Sequence, residues 1–410
     1  MSINFIFSNI ESIKDIQENE NMKKALYIPL FISLLFSISV QAQEKEGFMN
    51  RVKGFFSPSY RIGSYTFKNG AVYTGELRKR RPEGSGKTLY LNNDIYNGEY
   101  KKGQREGYGV YILHTGEKYA GNWVDDIQQG DGEYFFLNNN RYSGTWENGF
   151  QQGRGIMYYH NGDKYEGDWH QNQRHGLGTY SWLNGAKYVG QWVDDKKNGE
   201  GTMVWNDGSK YTGEWKNDQR QGKGVFEYLN GDKYSGDWVN DIQHGKGVYK
   251  FHTGDSYEGT YNQGARTGKG VYIYVNGDKY EGQFKDGVQE GQGAFYWTNG
   301  AHYVGEWKDN QRNGQGKYTW SNGDVYSGEW KDGQPNGEGT LVLEDGVKYK
   351  GSFVNGLEEG KGVLIDKEGH RHEGTFKGGK RDGDFIEYDV DGKVVKKTRY
   401  KNGFLQSTFN

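Results

Sequence analysis

Along most of the chain, large apolar residues and glycines alternate with polar ones, and the alternation restarts at a fixed interval. In Gly178-Thr179-Tyr180-Ser181-Trp182, and again in Tyr188-Val189-Gly190-Gln191-Trp192, every second residue is aromatic or glycine. A period of two predicts strands rather than amphipathic helices. Between the two strands stands Leu183-Asn184-Gly185-Ala186, and Asn-Gly recurs at Asn161-Gly162, Asn230-Gly231, Asn276-Gly277 and Asn322-Gly323. Asn-Gly between alternating runs signals a hairpin, because its turn needs φ > 0. Each unit is therefore predicted to be one β-hairpin, joined to the next by a charged loop such as Asp194-Asp195-Lys196-Lys197-Asn198.

The interval is 23 residues. Tyrosine stands at 73, 96, 119 and so on through Tyr188 to Tyr349, and His372 takes the next step. A glycine follows two residues later, from Gly75 to Gly374. A large apolar residue follows four later, as Trp123, Trp146, Trp169, Trp192, Trp215 and Trp238 show. Fourteen copies run without insertion or deletion. Counted from each tyrosine, the aromatics and strand glycines lie at even offsets, so they share one face of the sheet. Glycine normally weakens a strand; here its bare Cα is predicted to form a slot in which a neighbouring ring lies flat. The other face carries Lys164, Lys187, Lys210 and Lys233, with Glu214, Asp237, Glu306 and Glu329, and is predicted to be solvated. An isolated hairpin is marginal in water, so stacked neighbours must supply the stability.

"YTGEWKNDQRQGKG" (Tyr211 to Gly224) and "YSGEWKDGQPNGEG" (Tyr326 to Gly339) resemble the MORN repeat, the membrane occupation and recognition nexus. The resemblance spans Gly63 to Gly383 and implies an all-β fold, a single-layer antiparallel β-solenoid of about 14 stacked 23-residue hairpins. Proteins of that family include organellar scaffolds, membrane-junction proteins, ciliary components and non-catalytic extensions of lipid kinases and methyltransferases. The resemblance thus implies a scaffold or protein-interaction module. The pattern departs at the ends: Leu77 stands for the tryptophan in the first copy, His372 for the tyrosine in the last, and Phe385 for a glycine. Atypical terminal repeats are what a solenoid needs as caps.

Four segments follow. Residues 1–42 read as an N-terminal extension and signal peptide. Within it, "MKKALYIPLFISLLFSISVQAQ" offers a basic start at Met22, an apolar run from Ala25 to Val40 and a small-residue cleavage site after Ala42. Residues 43–62 are an N-terminal cap, 63–384 the repeat array, and 385–410 a degenerate hairpin cap with its turn at Asp391-Gly392. The expected destination is the periplasm or the extracellular, outer-envelope surface of a bacterium, with the apolar run kept as a membrane anchor if it is not cleaved. With 66 glycines the chain would suggest disorder, but they are in register and aromatic residues make up 16%. A net charge of −2 with interspersed signs gives little long-range attraction to nucleic acid.

Chemistry is hard to find. There is no cysteine, which excludes thiol nucleophiles, thiolate metal sites and disulfides. His114, His160 and His252 share a column but not adjacent repeats, and His175 and His244 lie three repeats apart; His370 and His372 are read as surface substitutions in a decaying repeat. The G-x-G pairs lead into strands, not into the helix N-terminus that a phosphate loop requires. Hence no catalytic residue, cofactor or metal ligand is assigned. What remains is the aromatic face, predicted to be partly exposed because one layer cannot fully cover its own side. Tyr142, Trp146, Tyr165, Trp169, Tyr188, Trp192, Tyr211, Trp215, Tyr234 and Trp238 are its candidate partner-binding residues. The expected partner is another protein or a second copy in a homodimer; the alternative is a glycan of the cell wall or a membrane lipid stacked on the rings.

Overall fold

The computed structural model describes residues 60–409, all in strands, turns and short connections, with no helix among the described residues. Residues 1–42, with the expected signal peptide, and most of the 43–62 cap lie outside the described residues. The chain divides into two compact units that meet in sequence at Gly109 and Val110. In the first, the strands Arg61–Thr66, Val72–Arg78, Arg81–Leu89 and Ile95–Lys101 pair antiparallel in chain order. In the second, seven-residue strands such as Lys187–Val193 alternate with nine-residue strands such as Lys196–Val204, and each pairs antiparallel with its chain neighbours. This is the all-β, hairpin-after-hairpin solenoid that the sequence implies.

The turns correct the sequence reading in one respect. At Asn184-Gly185 only the glycine has a positive φ, of 93°. Its N–H donates to Trp182 O at 3.1 Å, and the Asn184 side chain accepts from Ala186 N at 3.0 Å. The two-residue turns with both positions at positive φ lie instead at Asp194-Asp195 (49° and 68°) and Asn217-Asp218 (50° and 70°), where charged loops were expected. Val193 there pairs directly with Lys196, and Lys216 with Gln219. The physical reason is that Asp and Asn, with short polar side chains, tolerate the left-handed region that such a turn demands at both central residues. Connections are therefore tight at both ends of strands such as Lys187–Val193.

The segment 385–410 also holds more than one hairpin. Gly383–Tyr388 pairs with Val394–Lys401 across the turn at Asp391-Gly392, and Val394–Lys401 pairs in turn with Phe404–Phe409. The two-residue strand Lys380–Arg381 bridges to Arg371–Lys377.

Candidate functional site

The aromatic column is built from backbone outward. Strand pairing sets Gly190 opposite Gly201 and Gly213 opposite Gly224. The Tyr188 ring lies across Gly190 and Gly201, and a Cβ on either would overlap it. Its hydroxyl donates to Gln191 O at 3.1 Å, and the same bond recurs from Tyr142, Tyr165, Tyr211 and Tyr234 to the carbonyl three residues on. Trp192 and Trp215 stand edge-on to either side of Tyr188, at 5.2 and 5.5 Å between centroids. The indole N–H groups of Trp146, Trp169, Trp192, Trp215 and Trp238 donate to glycine carbonyls at 3.2–3.4 Å.

All ten candidate residues are thus brought into one continuous stack, and none is more than 5% exposed. They form the core of the array. The expectation of partly exposed rings is corrected here, and the cause is a set of side chains that the sequence reading passed over. Fourteen residues before each of Tyr188, Tyr211 and Tyr234 stands a long basic side chain that folds over the tryptophan of the same repeat. Arg174 lies 4.4 Å above Trp192, Lys197 lies 4.3 Å above Trp215, and Arg220 lies 4.5 Å above Trp238. Such cation–π contacts gain strength when desolvated, and the aliphatic stems cover apolar surface. The lids are tethered one repeat on: Arg174 Nε donates to Asp195 Oδ1 at 2.9 Å, and Arg220 Nε to Asp241 Oδ1 at 3.0 Å. In the same column stands the buried Gln151, whose backbone N–H donates to Asn172 Oδ1 at 2.8 Å. The signal was present as Arg, Lys or Gln in one column answered by Asp or Asn 21 residues later.

Electrostatics follow from this burial. Desolvation pushes the phenols of Tyr257 and Tyr349 up to about 12, and those of Tyr142, Tyr165, Tyr188, Tyr211 and Tyr234 higher still. Burial also draws the Lys197 ammonium down, against the opposing pull of Asp218 and Asp241. At the turns, burial would raise the carboxyls of Asp163 and Asp232, but hydrogen bonds outweigh it and hold both below the usual range. Asp163 accepts from Tyr180 Oη and Leu183 N, each at 2.9 Å; Asp232 accepts from Tyr249 Oη and His252 N, each at 2.8 Å. Each carboxylate staples its turn to the next.

The opposite, polar face shapes the open site. Gly213, Gly224, Gly236, Gly247, Gly259, Gly270, Gly282 and Gly293 lie in register across successive strands, and their backbone forms the floor of a groove of about 1150 Å³. Lys223, Lys246 and Lys269 stand on one bank and Val225, Val248 and Val271 on the other. Lys223 is paired with Asp237. Lys246 and Lys269 face Thr260 and Gln283, and neither has an ion-pair partner among the described residues.

The histidines do not converge on a metal. His372 sits with Nε2 3.2 Å from Asp366 and Nδ1 3.7 Å from Glu387, and His370 Nδ1 is 3.3 Å from the same aspartate. No cluster of three or more metal-ligating side chains suited to an ion occurs among the described residues. No helix among them is long and apolar enough to cross a membrane.

The MORN repeat model matches thirteen consecutive segments, from residues 96–118 through 188–210 to 372–383. The chain belongs to the MORN repeat family. Residues 73–95 repeat the MORN geometry, with Tyr73 Oη donating to Glu76 O at 2.8 Å. No curated protein matches the chain. Solved structures with a likeness include the TCP domain of SAS-4 from Drosophila melanogaster, in complex with a proline-rich motif of Ana2. It is 14% identical, with a TM-score of 0.26 over 38% of this chain and 85% of that one. The wild-type TCP10 domain of Danio rerio CPAP is 9% identical, with a TM-score of 0.13 over 71% and 99%. A virginiamycin B lyase from Staphylococcus aureus is 9% identical, with a TM-score of 0.12 over 76% and 93%.

Proposed function

We propose that this MORN array is a non-catalytic scaffold, exported to the cell envelope, that holds an extended segment of a partner protein along its polar face. One observation carries the reading: the aromatic face is closed over by its own lids, whereas the other face is an open groove with a backbone floor and chemically distinct banks. Export rests on the basic start, apolar run and small-residue site between Met22 and Gln43. Membership of the MORN family, with members that act as scaffolds, agrees with an interaction role.

The test is affinity purification of the tagged chain from the envelope fraction of its own cell, beside a Val248→Arg variant. A stoichiometric protein partner, lost from the variant, supports the reading. Recovery of polysaccharide or lipid alone, or retention of the partner by the variant, overturns it.

A further inference from the structure

The groove repeats with the chain, and its repeat length selects an occupant. One repeat advances two strands, or about 9.6 Å along the floor at the usual strand spacing. Val225, Val248 and Val271 recur at that step on one bank, and Lys223, Lys246 and Lys269 on the other. An extended β-strand presents the same side every two residues, about 6.8 Å apart, and falls out of phase within one repeat. An α-helix is about 10–12 Å wide and repeats every 5.4 Å, so it matches neither the step nor a floor bounded by adjacent rows. A polyproline II helix presents the same side every third residue, about 9.3 Å apart, and loses only about 0.3 Å per repeat.

Resting on the partner-binding reading of the groove, we infer that its occupant is a proline-rich, acidic segment in the polyproline II conformation, laid along the glycine floor across the Lys223–Val271 stretch. Every third residue of such a segment is apolar and meets a valine. Carboxylates or free backbone carbonyls on a second side meet the ammoniums of Lys246 and Lys269, which face Thr260 and Gln283 across the strand. Because that backbone makes no internal hydrogen bonds, its carbonyls are free to accept from the lysines. Glu258 stands between Val248 and Val271, so the valine bank repels acidic side chains there and fixes which side faces it.

The test uses three fluorescent peptides on the full chain. One repeats Pro-Glu-Val, one repeats Pro-Pro-Glu-Val, and one repeats Pro-Lys-Val. Fluorescence anisotropy is expected to show saturable binding of the first, and binding at least about tenfold weaker for the other two. Lys246→Glu with Lys269→Glu, both exposed positions, should weaken the first by about tenfold or more at low salt, with circular dichroism unchanged. Equal affinity for the triplet and quadruplet peptides overturns the inference, as does indifference to the lysine changes or failure of the triplet peptide to bind. If the envelope partner is captured through Val248 but the triplet peptide does not bind, the scaffold reading stands and this inference falls. Polygalacturonate binding that the lysine changes abolish, with no peptide bound, likewise overturns it.

Discussion

Phe385 lies across Gly374, in the place that a tyrosine takes in every complete repeat. Its ring packs edge-on against Phe376 at 5.2 Å and Tyr400 at 5.5 Å, as each tyrosine does against its flanking rings. The last repeat has exchanged the roles of two strands. His372 occupies the tyrosine position, and the ring comes from the residue that faces Gly374, where other repeats have glycine. Two departures that look like decay in the sequence therefore compensate each other.

The exchange should show as coupling. His372→Tyr and Phe385→Gly are each expected to destabilise the C-terminal end, the first by crowding two rings and the second by leaving Gly374 uncovered. The double variant restores the repeat pattern and should recover about 0.5–3 kcal/mol relative to the sum of the singles. Urea unfolding followed by circular dichroism measures it; strict additivity would mean that the two positions are independent.

Filling the slot beneath a ring is expected to be costly. Gly224→Ala sets a methyl against the Tyr211 ring, which is held by Glu214 O and by Trp215 and Trp238. A loss of about 1–3 kcal/mol is expected, typical of overpacking. In a linear array the loss should stay local, so hydrogen exchange should speed up in the strands around Tyr211 and remain slow near Tyr326.

Removing a lid should expose its tryptophan. Arg220→Ala strips the guanidinium from Trp238 and abolishes its bond to Asp241, with an expected cost of about 1–2 kcal/mol. Acrylamide should then quench tryptophan fluorescence more strongly than in the parent chain. Unchanged quenching would show that something else covers Trp238.

Alkaline pH should unfold the array cooperatively. The folded phenols of Tyr257 and Tyr349 titrate near 12, above their ordinary value of 10.0, because burial disfavours the charged form. Their contribution is complete below pH 10 and is lost as pH rises through 12. Absorbance near 295 nm should therefore rise with the loss of β-sheet signal rather than ahead of it. Acid acts through the turns: Asp232, held low by its hydrogen bonds, stabilises above the usual carboxylate range and loses that contribution as pH falls through its lowered value. Asp232→Asn should flatten the acid limb of a melting-temperature profile.

The period, the strands and the shared aromatic and glycine face could all be found in the sequence, because each is written as identity at fixed offsets; the exchange between His372 and Phe385 could not, because it is written as two departures. The tyrosine hydroxyl bonds follow from the same repetition. What escaped was written as variation. The lid column reads Gln151, Arg174, Lys197, Arg220, and its members share only length and a hydrogen-bonding end. Without them the aromatic face looks open and the ten rings read as a partner-binding surface, whereas in the fold none is more than 5% exposed. The Asp-Asp and Asn-Asp turns read as charged loops because their charge is conspicuous and their tolerance of positive φ is not. The groove was invisible because its floor is backbone.

That floor separates two properties that most binding sites join. Its main chain is the same in every repeat of the Gly213–Gly293 stretch, so whole 23-residue units can be gained or lost without disturbing their neighbours. Position along the array is marked only by what stands on the banks, and three successive lysines occur there at Lys223, Lys246 and Lys269 alone. Length is thus free to drift over generations while the lysine-marked stretch keeps its identity.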